Sequence, residues 1–196
     1  MTAMQPTLLD ILPALVVIDL QKGIVDGPKA HPVEGVVAHA VALAESFRSL
    51  GLPVVLVNVA GGAPGRTDFD YGDDEEEDDD GTAQDWTELL PELDPRPSDL
   101  RVTKTNWGAF TNSTLHARLQ ERGVTQVVLA GINTQIGVET TARTAYELGY
   151  NVVLVTDAMT SFDAIAHDHS VTRIFPRLGQ NTTTADLLAV LATRPA

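Results

Sequence analysis

An α/β fold built on a parallel sheet is what this sequence predicts, and two observations carry the prediction. Short runs rich in β-branched apolar residues recur along the chain, and stretches with apolar residues at helical spacing lie between them. Runs that are apolar throughout read as strands buried on both faces. Their alternation with helices gives parallel strands flanked by helices on both sides. A length of 196 residues suits one domain, 1–196, with a single sizeable core.

Residues 14–18 form the first strand, and its apolar run leads straight into Asp19, without the basic segment that opens a signal peptide. A helix is expected over 36–50, stopping at Gly51 as a C-cap. Strands follow at 53–57 and, in a shorter form, at 100–103. A short helix over 114–122 ends at Gly123, and the next strand is 126–130. Helix 140–148 ends at Gly149, strand 151–155 follows, and helix 164–175 runs to Pro176. Residues 180–183 add a last strand and 185–191 a closing helix. The exception is 61–98, which carries many of the mid-chain glycines and prolines and the acidic run 73–80. So long an insertion is read as lid-like, with Trp86 and Leu89 anchoring its second half. The acidic run itself reads as solvated surface.

Composition excludes several classes of function. No cysteine is present, so disulfides, thiolate metal sites and a thiol nucleophile are all ruled out. That absence is compatible with the cytoplasm, the compartment expected here. The 27 acidic residues outnumber the 13 basic ones, giving a net charge of -14 and no basic patch for nucleic acid. No stretch is apolar for long enough to span a membrane.

In open α/β sheets ligands sit beyond the C-terminal ends of the strands, so polar residues there are the candidates. Asp19 and Gln21 follow the first strand, and Lys104 follows 100–103. Strand 126–130 leads into a turn holding Gly131 and Gly137 that opens a helix. A strand-end Asp under an apolar shell can become a general acid or base. A neighbouring Lys can hold an anion or developing negative charge, and a helix start offers free N–H groups. Each has a plainer alternative: a capping carboxylate, a surface lysine, a tight turn. Glu139 and Arg143, four apart on a helix, are expected to pair structurally. Trp107 is a candidate pocket wall, and Phe110 is expected in the core. The five histidines, His31, His39, His116, His167 and His169, read as solvated or locally bonded, and no metal is expected.

Taken in order, these stretches resemble the isochorismatase-like superfamily. The resemblance is carried by Val16-Val-Ile-Asp-Leu-Gln21, Val102-Thr-Lys-Thr-Asn-Trp107 and Ala130-Gly-Ile-Asn-Thr-Gln-Ile-Gly-Val-Glu-Thr-Thr-Ala-Arg143. Further matching stretches are Ala145-Tyr-Glu-Leu-Gly-Tyr-Asn-Val-Val-Leu-Val-Thr-Asp-Ala158 and Ile174-Phe-Pro-Arg-Leu-Gly179. The resemblance implies a three-layer α/β/α sandwich around a six-stranded parallel sheet, a homo-oligomer and a small-molecule substrate without a cofactor. It also implies a cis peptide at Ile132–Asn133. The superfamily's cysteine hydrolases use an Asp, a Lys and a Cys. Asp19 and Lys104 match the first two, and Gly137 stands where the cysteine would be.

That departure decides the expected chemistry, since covalent attack has no nucleophile at Gly137. Nicotinamidase activity is further disfavoured, because Asn58-Val-Ala-Gly-Gly-Ala-Pro64 carries no Asp-x-His-x-x-His metal motif. True isochorismatases resemble this chain in carrying Gly at that position. They imply vinyl ether hydrolysis with Asp19 as general acid, Lys104 pairing with substrate or tuning Asp19, and Gly137 supplying room. Gln21, Trp107, Ile132, Asn133, Gln135 and Ile136 are the expected substrate contacts. Gln135 stands where isochorismatases often carry His, and the stretch after Gly137 is closer to the cysteine hydrolases, so another small enol ether or carboxylate is also open. The alternative is an inactive member serving as a small-ligand binding or scaffold protein.

Overall fold

A computed structural model describes residues 8–63, 65–68 and 85–194. The acidic run 73–80 lies outside them. The strands are β1 (Pro13–Ile18), β2 (Val54–Val59), β3 (Leu100–Lys104), β4 (Gln126–Ile132), β5 (Asn151–Thr160) and β6 (Gln180–Thr182). The helices are α1 (Lys22–Val25), α2 (Val33–Ser49), α3 (Leu115–Gln120), α4 (Glu139–Glu147), α5 (Ala164–His169), α6 (Phe175–Leu178) and α7 (Thr184–Ala192). Every expected strand is present, and every expected helix except 164–175, which is broken in two.

The strands form one six-stranded sheet in the order β3-β2-β1-β4-β5-β6, and all of its pairings are parallel. Alternation along each strand separates two apolar layers. Leu15, Val17, Leu56, Val128 and Val153 pack under α2 and α7 with Phe47, Leu187 and Leu191. Val16, Ile18, Val57, Leu129 and Leu154 pack under α3, α4 and α6 with Leu119, Ala142 and Phe175. The result is the three-layer α/β/α sandwich. α2 shows why it forms: Val36, Val37, Ala40, Leu43, Ala44 and Phe47 are buried at helical spacing. Truncating a fully buried Phe such as Phe47 costs about 3–5 kcal/mol.

Three departures from the sequence reading have local causes. β5 extends past Val155 to Thr160, because a register shift lets Met159 and Thr160 pair again with Gly131 and Ile132. The helix expected over 164–175 is interrupted by a wide turn at Ser170–Ile174 before α6. α2, expected from residue 36, begins earlier, at Val33 just after Pro32.

The sheet order places the switch in winding between β1 and β4, which is where such sheets leave a crevice. Close packing at that seam requires glycine: a Cβ on Gly131, at φ +121°, would collide with the Ile18 carbonyl. The described part of the insertion is tied to the body. Leu89 bridges Gln21, Leu90 N–H donates to Leu20 O at 3.0 Å, and the Trp86 indole lies where a Cβ on Gly23 would stand. Trp86 and Leu89 thus anchor this half. Among the described residues no helix is long and apolar enough to cross a membrane.

Candidate functional site

The end of β1 delivers Asp19 and the end of β3 delivers Lys104. Period-two alternation turns Leu100, Val102 and Lys104 inward and leaves Arg101 and Thr103 exposed. Although 85 residues apart in sequence, Lys104 Nζ donates to Asp19 Oδ2 at 2.7 Å. Both residues are buried, Asp19 at 5% and Lys104 at 3% exposure. Asp19 adopts φ +51°, a left-handed conformation that costs a non-glycine residue roughly 1–2 kcal/mol. Such conformations cluster at functional sites.

The carboxyl group is only half satisfied. Asp19 Oδ1 is buried and has no hydrogen-bond partner. Burial pushes the Asp19 pKa up from 3.8 to about 6, against the attraction and hydrogen bond of Lys104. With Lys104 occupying Oδ2, Oδ1 is the oxygen left to carry a proton.

The turn after β4 forms the opposite wall. The Ile132–Asn133 peptide is cis, and the wide turn Thr134–Val138 leads directly into α4. A Cβ built on Gly137 would lie 3.0 Å from Ile18 Cγ2, 3.1 Å from Asp19 Oδ2 and 3.5 Å from the Trp107 carbonyl oxygen. Gly137 is thus packed directly against the acid, and a side chain there would sit slightly closer than ordinary contact to Ile18 and Asp19. Thr141 Oγ1 donates to Gly137 O at 2.7 Å and accepts from Ala109 N–H at 3.0 Å, which ties the turn to the loop after β3.

The other expected contacts divide. Asn133 Oδ1 and Gln135 Oε1 are buried without partners, like Asp19 Oδ1. Ile136 is half-buried on the same turn. Ile132 is fully buried in the core layer under α2, so it can offer a ligand its backbone alone. Trp107 turns its carbonyl toward Gly137, while the residue as a whole is 52% exposed. Gln21 differs most from expectation. Its amide donates to Val59 O and Trp86 O at 3.0 and 3.1 Å, and its Oε1 accepts from Val59 N–H at 2.7 Å. With every side-chain hydrogen-bonding direction but one lone pair committed to backbone, Gln21 braces two strand ends and the insertion.

Phe110 is buried as expected and stacks on Tyr150. Arg143 pairs with Glu139 at 2.8 Å, and Glu139 also accepts from Ser170 Oγ at 2.6 Å. Three histidines are bonded at long range rather than solvated or locally bonded as expected: His39 Nδ1 bonds Asp157 O at 2.8 Å, His116 Nδ1 bonds Tyr150 Oη at 2.9 Å, and the buried His167 bonds Thr134 Oγ1 at 2.8 Å, 33 residues away. Its ring meets His31 edge-on, with centroids 4.6 Å apart. His169 is exposed. Among the described residues no group of three or more His, Asp or Glu side chains could hold a metal ion.

Residues 13–186 match the family described as the Isochorismatase domain. The chain is similar to the isochorismatase family protein YwoC of Bacillus subtilis, with 40% identity over 184 residues, covering 89% of this chain and 92% of that one. It is 34% identical over 151 residues to streptothricin hydrolase of Streptomyces noursei, covering 76% of this chain and 50% of that one. Among solved structures, an isochorismatase family protein from Burkholderia thailandensis superposes with a TM-score of 0.85 at 42% identity, covering 94% of this chain and 98% of that one.

Proposed function

The chain belongs to the isochorismatase family of hydrolases, and on that premise we propose that it cleaves a small vinyl ether such as isochorismate by general acid catalysis from Asp19. One observation carries the reading: a buried carboxyl whose Oδ2 is held by Lys104 beside Gly137 keeps its Oδ1 without a hydrogen-bond partner. A proton on Oδ1 transfers to the substrate's methylene carbon, and the enol ether electrons leave an oxocarbenium ion. Water adds to that cation to give a hemiketal. Its collapse breaks the carbon–oxygen bond and releases pyruvate and a dihydrodiol acid, while Asp19 regains a proton from water. No covalent intermediate is needed, in keeping with a chain that has no cysteine.

The electrostatics support an acid. A pKa of about 6 leaves a usable fraction of Asp19 protonated near neutrality, and an anionic substrate bound nearby raises that fraction further. Lys104 stabilises the carboxylate left behind by proton transfer. Asn133 Oδ1 and Gln135 Oε1 provide acceptors for substrate hydroxyl groups. Amide cleavage of the kind the cysteine hydrolases perform would require a nucleophile that position 137 does not supply.

Pyruvate release from isochorismate by the purified protein tests this reading. The wild type is expected to turn over, with kcat/KM falling as pH rises above about 6. Asp19→Asn should lose on the order of 10²–10⁴-fold, and Lys104→Ala should also be slowed. Absence of release above background would overturn the assignment and favour a ligand-binding role.

A further inference from the structure

We infer that His167 is a positioning residue for the acid site, acting through Thr134 to hold the Gly137 turn against Asp19. Thr134 begins the wide turn that carries Gly137 and is fully buried. Its hydroxyl donates to the Thr160 carbonyl at 3.1 Å. A hydroxyl has one proton, and a carbonyl can only accept. Thr134 Oγ1 must therefore accept the 2.8 Å bond from His167, which fixes the His167 proton on Nδ1. One buried hydroxyl thus joins the turn after β4, the end of β5 and helix α5.

The anchor is itself held in place. His31 packs its ring edge-on against His167, and the His31 backbone N–H donates to Thr160 Oγ1 at 2.9 Å. Burial and the neighbouring His31 ring hold the His167 pKa below its usual value, which keeps the imidazole neutral, while Asp168 opposes the shift. The turn is tethered at its other end by Thr141 on Gly137 O. Between the two tethers lies the backbone that walls Asp19 Oδ2. Freeing the His167 end loosens that wall and admits water to a carboxyl whose acidity is set by its exclusion.

The inference takes Asp19 as the acid of the reaction proposed above, but its first readout needs no substrate. NMR titration of the Asp19 carboxyl carbon in the full chain is compared for wild type, His167→Ala, His167→Asn and His167→Gln. Asparagine places an amide N–H where Nδ1 stands, whereas glutamine places one where Nε2 stands. The Asp19 pKa is expected to fall from about 6 toward 3.8 in His167→Ala and His167→Gln, and to stay near the wild-type value in His167→Asn. Isochorismate turnover should follow the same order, with kcat reduced by about 10- to 100-fold in the first two variants.

Where His167→Ala fails to fold, Thr134→Val against Thr134→Ser asks the same question, the serine keeping the hydroxyl. An Asp19 titration that is the same in all folded variants would overturn the inference, whatever their thermal stability. A wild type that releases no pyruvate overturns the proposed reaction instead, and the titration still decides the role of His167.

Discussion

β3 has a buried ion pair at each end, and the two are completed differently. Before its first residue, Asp99 takes a two-pronged contact from Arg48, at 3.2 Å to Oδ1 and 2.6 Å to Oδ2. Oδ2 also accepts from Arg96 N–H at 2.8 Å, and Arg48 donates to Leu93 O at 3.1 Å. At its last residue, Lys104 gives Asp19 one bond and leaves Oδ1 with nothing. Burial is similar, at 6% and 1% side-chain exposure for Arg48 and Asp99 against 2% and 7% for Lys104 and Asp19. The difference lies in saturation. A buried carboxylate whose acceptor sites are filled is scaffold, and one left half-empty retains a site for a proton or a substrate.

The largest expected effect breaks the saturated pair. Asp99→Ala leaves Arg48 buried without its counter-charge and should destabilise the fold by about 3–5 kcal/mol. Urea denaturation measures this, and pyruvate release per folded molecule should be unchanged. A loss near zero would mean that the two pairs do not differ as described.

A second effect sharpens the contrast at the unsaturated pair. The Asp19 pKa is raised in the folded state, so the folded protein takes up that proton first as pH falls. Its contribution to stability grows between about pH 7 and 4, to roughly 3 kcal/mol at 1.36 kcal/mol per unit. His167 is shifted the other way, so the unfolded chain gains that proton first below about 6.5 and stability erodes over part of the same window. Asp19→Asn removes the gain and keeps the erosion. From pH 8 to 5 the variant should therefore lose stability more steeply than the wild type, and parallel curves would contradict the assignment.

The smallest effect comes from a pair that is charged but exposed. Arg143→Ala removes the contact to Glu139 at the half-exposed Arg143 while Ser170 keeps its own bond to Glu139. The expected cost is about 0.3–0.5 kcal/mol. Thermal melting should show a slight shift and turnover none.

The contrast between the two pairs was only half legible in the sequence. Asp19 stands directly after an apolar run and Lys104 after the alternating stretch 100–103, so strand-end position marks both, and period-two alternation turns Lys104 inward. Apolar patterning likewise gave the strands and the helices between them. The Arg48–Asp99 pair joins residues 51 apart with no local pattern to announce it. Gln21 looked like a ligand contact because of its place beside Asp19, but its bonds to Val59 and Trp86 depend on how the insertion returns. His167 carried no signal either, since its partner Thr134 is set by helix and turn packing. Thr141 was the exception, being four residues after Gly137 on a helix, where a threonine hydroxyl reaches back to the carbonyl. The sequence alone ends β5 at Val155, because Thr156 and Asp157 interrupt its apolar run before the pairing resumes at Met159.

Gly137 also constrains what this backbone could become. A side chain there would have to displace Ile18 Cγ2 and Asp19 Oδ2 by a few tenths of an ångström, and Asp19 Oδ2 is the atom that holds Lys104. Installing a thiol and keeping the acid in its present position therefore compete for the same space. A mutational route from this chain to a cysteine enzyme turns on whether Ile18 and Asp19 can give by those few tenths of an ångström. The adjustment falls on Ile18 and Asp19 together, which makes the absent side chain a property of the whole β1–β4 seam.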